Sequence, residues 1–366
     1  MSQDNIEEKP SKSGKGIHLS SSPHFSFTVN TRMIMATVLF ALLPEVIYGI
    51  VLFKAKAFFV ILTSVISCLV FEALFQILTK QKVTVGNLSA CVTGVMLALV
   101  CPPTVPLWMV VLGALVAIVI AKGLFGGIGS NVFNPALTGR AFMFISFASA
   151  MGSGWVNPGV DAVSTATILS HSSSFTDSSQ YLQYFLGNRA GCIGETSILL
   201  ICISFLILLI THVIDWRAPL AMVGTVFVLT FFAGFISSQD ALSGLKEAVF
   251  ALLTGGLMFG ATFMITDYST APVTKPGRLI FGAGAGLITF LIRRFGGYPE
   301  GVMFSILIMN AIAPFLNNIT VRKYGYGRKG HRKPVARKIV QSFDVKNGRI
   351  ISEEKTSESK AMEEKK

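Results

Sequence analysis

Apolar residues in this chain come in long blocks rather than in alternation or narrow helical stripes. Ten blocks stand out, at 33–53, 57–78, 88–101, 105–124, 136–150, 197–214, 218–237, 248–266, 278–292 and 302–317. Blocks this long with so little charge predict membrane helices, because a full span takes about 20 residues. Several blocks are shorter. Backbone at membrane depth finds no water to bond, so the short blocks predict broken or tilted helices shielded by neighbours. Proline marks their ends: Pro102-Pro103 closes the third, Asn134-Pro135 opens the fifth, and Pro272 and Pro276 fall between the eighth and ninth. The expected fold is an all-α integral membrane protein with ten transmembrane helices. One long polar gap, 151–195, divides the blocks five and five.

Composition agrees. Of 366 residues, 52% are hydrophobic and 14% charged, against about 25% charged in a soluble domain. Mean hydropathy is +0.63. The net charge of +12 hints at nucleic acid until it is mapped. Arg322, Lys323, Arg328, Lys329, Arg332, Lys333, Arg337 and Lys338 crowd just past the last apolar block. That placement reads as a cytoplasmic anchor on anionic lipid, not a nucleic-acid surface. With this tail inside, ten spans put the N-terminus inside as well, together with Lys80, Lys82, Lys275 and Arg278. The gap 151–195 then faces outward. Lys54, Lys56, Arg293 and Arg294 also face outward, against the trend. The first 27 residues are polar, so no cleavable signal is expected and the first block should start insertion and stay.

The implied organisation is a cytoplasmic tail at 1–27, a first membrane half at 28–150, an extracytoplasmic loop at 151–195 and a second half at 196–317. The last stretch, 318–366, is basic and then mixed in charge. Its composition cannot bury a core, and disorder is expected there. The five cysteines (Cys68, Cys91, Cys101, Cys192 and Cys202) form no Cys-x-x-Cys pair, and the five histidines are scattered. That spacing offers no iron–sulfur or zinc site.

A faint internal echo runs through the halves. Thr93-Gly94-Val95-Met96 leads to Pro102-Pro103, as Thr254-Gly255-Gly256-Leu257-Met258 leads to Pro272. Asn134-Pro135 through Gly139-Arg140 resembles Ala271-Pro272 through Gly277-Arg278. Five spans per half is odd, so such repeats would be inverted, as in transporters that bind ligand or ion where the halves meet.

Candidate chemistry gathers at the polar gap and the block ends. Asp161-Ala162-Val163-Ser164-Thr165-Ala166-Thr167 places hydroxyls among small residues in the one loop with room for a modification. Asn131, Asn134, Thr138 and Arg140 follow a Gly-rich turn into the fifth block. Free N–H groups at a helix start beside an arginine suit a phosphate or a flavin ring edge; a simple helix cap explains the same pattern. The Gly194-Glu195-Thr196-Ser197 stretch either caps the sixth helix, with Glu195 favoured by the dipole, or packs a ligand. Glu45, Glu72, Asp267 and Glu300 are acids in or near apolar blocks, where ionisable groups are expensive and functional. Asp267 and Glu300 sit at Pro-linked breaks and are the candidates for an ion path. The alternative is interfacial acids paired with Lys or Arg.

Five motifs occur in one order. They are Ser21-Ser22-Pro23-His24, the stretch from Gly126-Gly127 to Gly139-Arg140-Ala141-Phe142, Gly191 to Ser197, Thr266-Asp267 to Pro272, and Tyr298-Pro299-Glu300-Gly301 leading to Met309-Asn310 and Pro314. With the heptapeptide, they resemble the family shared by the D subunit of the Rnf complex and the B subunit of the sodium-translocating NADH:quinone oxidoreductase. The opening motif is closer to the Rnf branch. The resemblance spans about 20–320. It implies FMN joined through a phosphoester to the last threonine of the heptapeptide, here Thr167, with Asp161, Ser164 and Ala166 beside it. Ala162 stands where the family pattern has Gly. It also implies a second, noncovalent flavin such as riboflavin between the helices, and a place in a complex that moves electrons between ferredoxin and NAD, coupled to Na+ or H+ transport. Such a polypeptide is not catalytically complete alone. Its partners would include iron–sulfur subunits, a second covalent-FMN subunit and a flavin transferase, in a bacterial cytoplasmic membrane. The competing readings are a quinone-linked relative, a urea-transporter-like channel, and a scaffold without a cofactor.

Overall fold

A computed structural model describes residues 30–153, 155–156, 163–164, 178–187, 189–296, 300–320, 340–344 and 349–353. Residues up to Leu316 form one body and those from Asn317 a second. The helices are α1 (Thr31–Leu78), α2 (Ser89–Leu99), α3 (Leu107–Leu115, continued as a π-helix over Val116–Gly123), α4 (Pro135–Ser146), α5 (Ala148–Ser153), α6 (Ser178–Leu186), α7 (Ile198–Ile210), α8 (Arg217–Ser238), α9 (Ala241–Leu253), α10 (Leu257–Phe259, continued as a π-helix over Gly260–Met264), α11 (Lys275–Phe295) and α12 (Val302–Thr320). Two short antiparallel ladders complete the described residues: β1 (Trp155–Val156) on β2 (Val163–Ser164), and β3 (Val340–Asp344) on β4 (Arg349–Glu353). The second ladder lies in the tail that composition marks as unable to bury a core.

Every one of the ten apolar blocks carries helix, but span length does not follow block count. α1, α8, α11 and α12 are long and apolar enough to cross a membrane, and α9 with α10 makes a fifth candidate bent by 63°. α2, α3 with its π-helix, and α7 are apolar but shorter. The first two blocks merge into α1, whose 48 residues break at Lys54 (φ 54°, ψ −138°). Asn134 opens α4 as the sequence suggests. Its Oδ1 accepts from Ala136 N at 3.1 Å and Leu137 N at 3.3 Å, with Pro135 in the first turn.

Small residues set the helix packing, as expected where lipid removes the hydrophobic drive between helices. Gly94 of α2 presses on α1, where a Cβ would sit 2.8 Å from Val65 Cα. Ser64 Oγ donates to Gly94 O at 2.7 Å. On α11, Gly286 lies so close to α8 that a Cβ would meet Met222 O at 2.6 Å. One contact recurs between the halves: Gly113 of α3 lies under Met143 of α4, as Gly284 of α11 lies under Met309 of α12.

α2 and α9 both end inside the protein. The end of α2 is met by backbone, since Ile193 N donates to Cys101 O at 3.2 Å and Gly194 N to Leu99 O at 2.7 Å. The end of α9 is met by arginines, described below. Both ends therefore satisfy the carbonyls that a helix terminus leaves open.

Lys54 holds a backbone conformation that residues with a Cβ scarcely visit, at a cost on the order of 1–3 kcal/mol. Its side chain is exposed and packs little. Lys54→Gly is expected to stabilise the solubilised protein by about 1 kcal/mol after glycine's greater unfolded-state freedom is subtracted. A lower thermal midpoint for the variant would contradict this geometry.

Candidate functional site

Two polar centres sit within the helical body. The first gathers around the break between α9 and α10. Arg140, on the second turn of α4, grips Glu300 with both ends of its guanidinium: Nη1 to Oε1 at 2.9 Å and Nη2 to Oε2 at 2.5 Å. Glu195 Oε1 stands 3.7 Å from Arg140 Nη1, and Cys192 Sγ lies 3.5 Å from Nη2. Paired, bidentate contact of this kind is what a buried carboxylate requires, because an unpaired charge out of water is costly. Both carboxylates converge on Gly256, the residue before α10. A Cβ there would stand 2.7 Å from Glu300 Oε1 and would also collide with Glu195 Oε1. The Glu300 carboxylate, with the Glu195 carboxyl beside it, thus meets the amide end of α10.

Positive groups meet the carbonyl end of α9. Arg293 donates to Ala251 O at 2.8 Å, Thr254 O at 3.4 Å and Glu300 O at 3.3 Å. Arg189 donates to Leu253 O and Glu195 O, and to Thr196 O at 3.1 Å. A helix end carries partial negative charge at its carbonyls and positive charge at its amides. Both signs are complemented at one break.

The second centre is a cavity between the two halves. Apolar walls come from Ile34, Met35, Val92, Met96 and Phe263, and its polar edge from Lys122, Asn131, Asn134, Asp267 and Ser269. Asn131 Nδ2 donates to Ser269 Oγ at 2.9 Å, and Ser269 Oγ donates in turn to Asp267 Oδ1 at 2.9 Å. Asn134, its Oδ1 committed to the α4 cap, uses Nδ2 to reach Met264 O at 3.3 Å. These bonds tie the Gly-rich turn of one half to the end of the π-helix in the other. Lys122 Nζ donates to Glu72 Oε1 at 2.9 Å and Ser89 Oγ at 2.7 Å. Among the described residues, no group of three or more His, Cys, Asp or Glu could hold a metal.

The residues singled out in the sequence are thereby divided. Asn131, Asn134 and Asp267 share the cavity. Arg140, Glu195 and Glu300 share the break, with Thr196 contributing its carbonyl. Thr138 bonds back to Asn134 O at 2.9 Å within its own helix. Within the Gly194–Ser197 stretch, Ser197 caps α7, accepting from Leu200 N. Asp161, Ala166 and Thr167 lie outside the described residues, and for Ser164 the backbone alone is described, within β2. Lys122, Ser269 and Arg189 do not stand out in the sequence, and Arg293 does so only as an exception to the charge trend. Lys122 had a signal: a lone base inside an apolar block. The arginines look like ordinary loop and interface charge.

These features define a polytopic helical membrane protein with a charged break and a polar cavity between its halves. The chain belongs to the NQR2, RnfD, RnfE family, whose model matches residues 18–325. It is 40% identical over 315 residues to the D subunit of the proton-translocating ferredoxin:NAD(+) oxidoreductase complex of Clostridium ljungdahlii, covering 82% of this chain and 94% of that one. It is 40% identical over 312 residues to the D subunit of the Na(+)-translocating ferredoxin:NAD(+) oxidoreductase complex of Acetobacterium woodii, covering 84% and 95%. The D subunit of the ion-translocating oxidoreductase complex of Stutzerimonas stutzeri is 36% identical over 336 residues, covering 82% and 94%.

Gly256 has φ −80°, which any residue can adopt, so the obstacle to a side chain there is the pair of carboxylates. Gly256→Ala is expected to destabilise the solubilised protein by about 1–3 kcal/mol through overpacking. Gly191→Ala, with nothing within 4 Å of its Cβ, is expected to change little. Equal thermal midpoints for the two variants would contradict the convergence of Glu195 and Glu300 on this point.

Proposed function

We propose that this chain is the D subunit of an ion-translocating ferredoxin:NAD oxidoreductase complex of a bacterial cytoplasmic membrane. The observation that carries the reading is 40% identity, over more than four fifths of the chain, to two proteins bearing that function in their names. In this role Thr167 holds FMN through a phosphoester, with Asp161, Ser164 and Ala166 shaping the attachment. Iron–sulfur subunits, a second covalent-FMN subunit and a flavin transferase complete the assembly, and Na+ or H+ is the transported ion.

The cavity suits a second, noncovalent flavin such as riboflavin. An isoalloxazine has an apolar dimethylbenzene end and a pyrimidine edge rich in donors and acceptors. Apolar walls facing a row of amide, hydroxyl and ammonium groups match that division. Bound flavin supplies one- and two-electron carriage. The chain's own residues do the rest. Asn131 and Ser269 orient the ring edge, Asp267 fixes Ser269, and Lys122 places a positive charge at the wall, balanced by Glu72. Asp267 and Glu300, assigned here to the ion path, sit in different centres, so an ion would pass from one to the other.

The test is direct. Purified complex is run on a denaturing gel and viewed under ultraviolet light, and the 151–195 peptide is weighed. Expected are a fluorescent band and a mass gain equal to FMN less one water on Thr167, both lost in Thr167→Ala. Fluorescence that survives in Thr167→Ala would remove the attachment claim. A colourless chain from a host with an active flavin transferase favours the channel or scaffold reading. Flavin extracted by acid from Thr167→Ala complex reports the cavity, and Asn131→Trp is expected to lower that yield severalfold.

A further inference from the structure

Glu45 belongs to neither centre. It follows Pro44 in the first part of α1, is 3% exposed, and has no hydrogen-bond partner on either carboxylate oxygen. Beside it stands Ser204 of α7, at 0% exposure, whose Oγ also lacks a partner. The two side chains neighbour each other where α7 packs on α1. Other buried acids are engaged by cations: Glu72 by Lys122, and Glu195 and Glu300 by Arg140.

Among the described residues, no ion pair reaches Glu45 from the elements packed on α1; in the loop that touches Tyr48 and Gly49, Arg189 and Glu195 are engaged at the α9 break. Helices α2, α3 and α7 contain no acidic or basic residue, and their titratable groups are the thiols of Cys91 and Cys202. Lys122 of the π-helix is held by Glu72 and Ser89. On α1 itself Tyr48, one turn further on, donates to Leu186 O at 3.1 Å. An ionised carboxylate without a partner in such a place is strongly disfavoured. A neutral carboxylic acid is not, and it both donates to and accepts from a hydroxyl.

We infer that Glu45 is a proton-binding site of the membrane domain, with Ser204 as its hydrogen-bond partner. Protonation adds one proton to a carboxylate oxygen and removes one negative charge, with no other bond changed. The two carboxylate oxygens and one hydroxyl oxygen leave a sodium ion far short of a coordination shell, so the chemistry fits H+. The location fits transport. α1 and α7 are the first helices of the two halves, and inverted-repeat transporters bind their ions where such halves meet. The site is also tied to the polar loop. Tyr48 reaches Leu186, and Gly49 packs on Ile193, where a Cβ would sit 2.6 Å from Cγ2. Movement of the loop thus bears on the turn next to Glu45. The use of this proton in ion translocation rests on the function proposed above; its binding does not.

The intact complex in native membranes is treated with dicyclohexylcarbodiimide, an apolar reagent for protonated carboxyls, across a pH series. Modified peptides are mapped by mass spectrometry. Expected is an adduct on Glu45 that falls roughly tenfold per pH unit above the midpoint of its titration. Sodium should not protect it. Ser204→Ala should move the fall to higher pH, because the carboxylate loses its one donor. Infrared spectra of the same membranes should show a carboxylic-acid C=O band that Glu45→Gln removes. An adduct independent of pH, protection by sodium at constant pH, or absence of both the adduct and the infrared band overturns the assignment. In-gel flavin fluorescence is read separately, so a failed flavin attachment leaves this titration interpretable.

Discussion

A helix that stops inside a membrane protein leaves carbonyls and amides with no water to meet. That constraint governs this molecule. The ninth helix stops at Leu253 and its continuation starts at Leu257, bent by 63°. Arg189 and Arg293 meet the carbonyls on one side, and Glu195 and Glu300 approach Gly256 on the other. Arg140 holds the glutamates in place. Removing any one of these groups leaves another buried without compensation. The five residues come from α4, the end of the polar loop, α11 and the entry to α12. One break therefore ties the first half, the loop and the second half together.

That linkage gives the polar loop a mechanical role. Its end is fixed at three places: Ile193 and Gly194 on the carbonyls of α2, Arg189 on those of α9, and Glu195 beside Arg140. Gly49 and Tyr48 of α1 touch the same stretch. The described end of the loop thus meets two discontinuous helices and the α1 turn that follows Glu45. The cavity at Asn131 and Asp267 joins the halves at a separate centre, through Asn131 to Ser269 and Asn134 to Met264.

Much of the helix placement was legible in the sequence. Apolar blocks located helices because each must hide its backbone from lipid, and Asn134-Pro135 announced the start of α4 by cap chemistry alone. Lengths were not legible. The break at Lys54 falls in the gap between the first two blocks, 33–53 and 57–78, so its place was visible though its backbone form was not; the π-helices over Val116–Gly123 and Gly260–Met264 carry no distinctive pattern. Half of the site was visible as well. Arg140, Glu195 and Glu300 each stood out, but 160 residues separate Arg140 from Glu300, and spacing carries no information about a pair that tertiary packing creates. Arg189 and Arg293 were hidden for the same reason, since their partners are backbone carbonyls that every residue has. Of the heptapeptide ending at Thr167, only Val163 and Ser164 lie among the described residues.

At the centre of this molecule Arg140 and Glu300 act as one unit at the break. A double-mutant cycle with Arg140→Leu, Glu300→Leu and the double variant, read by thermal unfolding of solubilised protein, addresses that coupling. Each single change is expected to cost about 3–5 kcal/mol, because it strands a buried charge. The double variant should lose clearly less than the sum of the two. Additive losses would show that the two side chains are independent and that the break is held by something else.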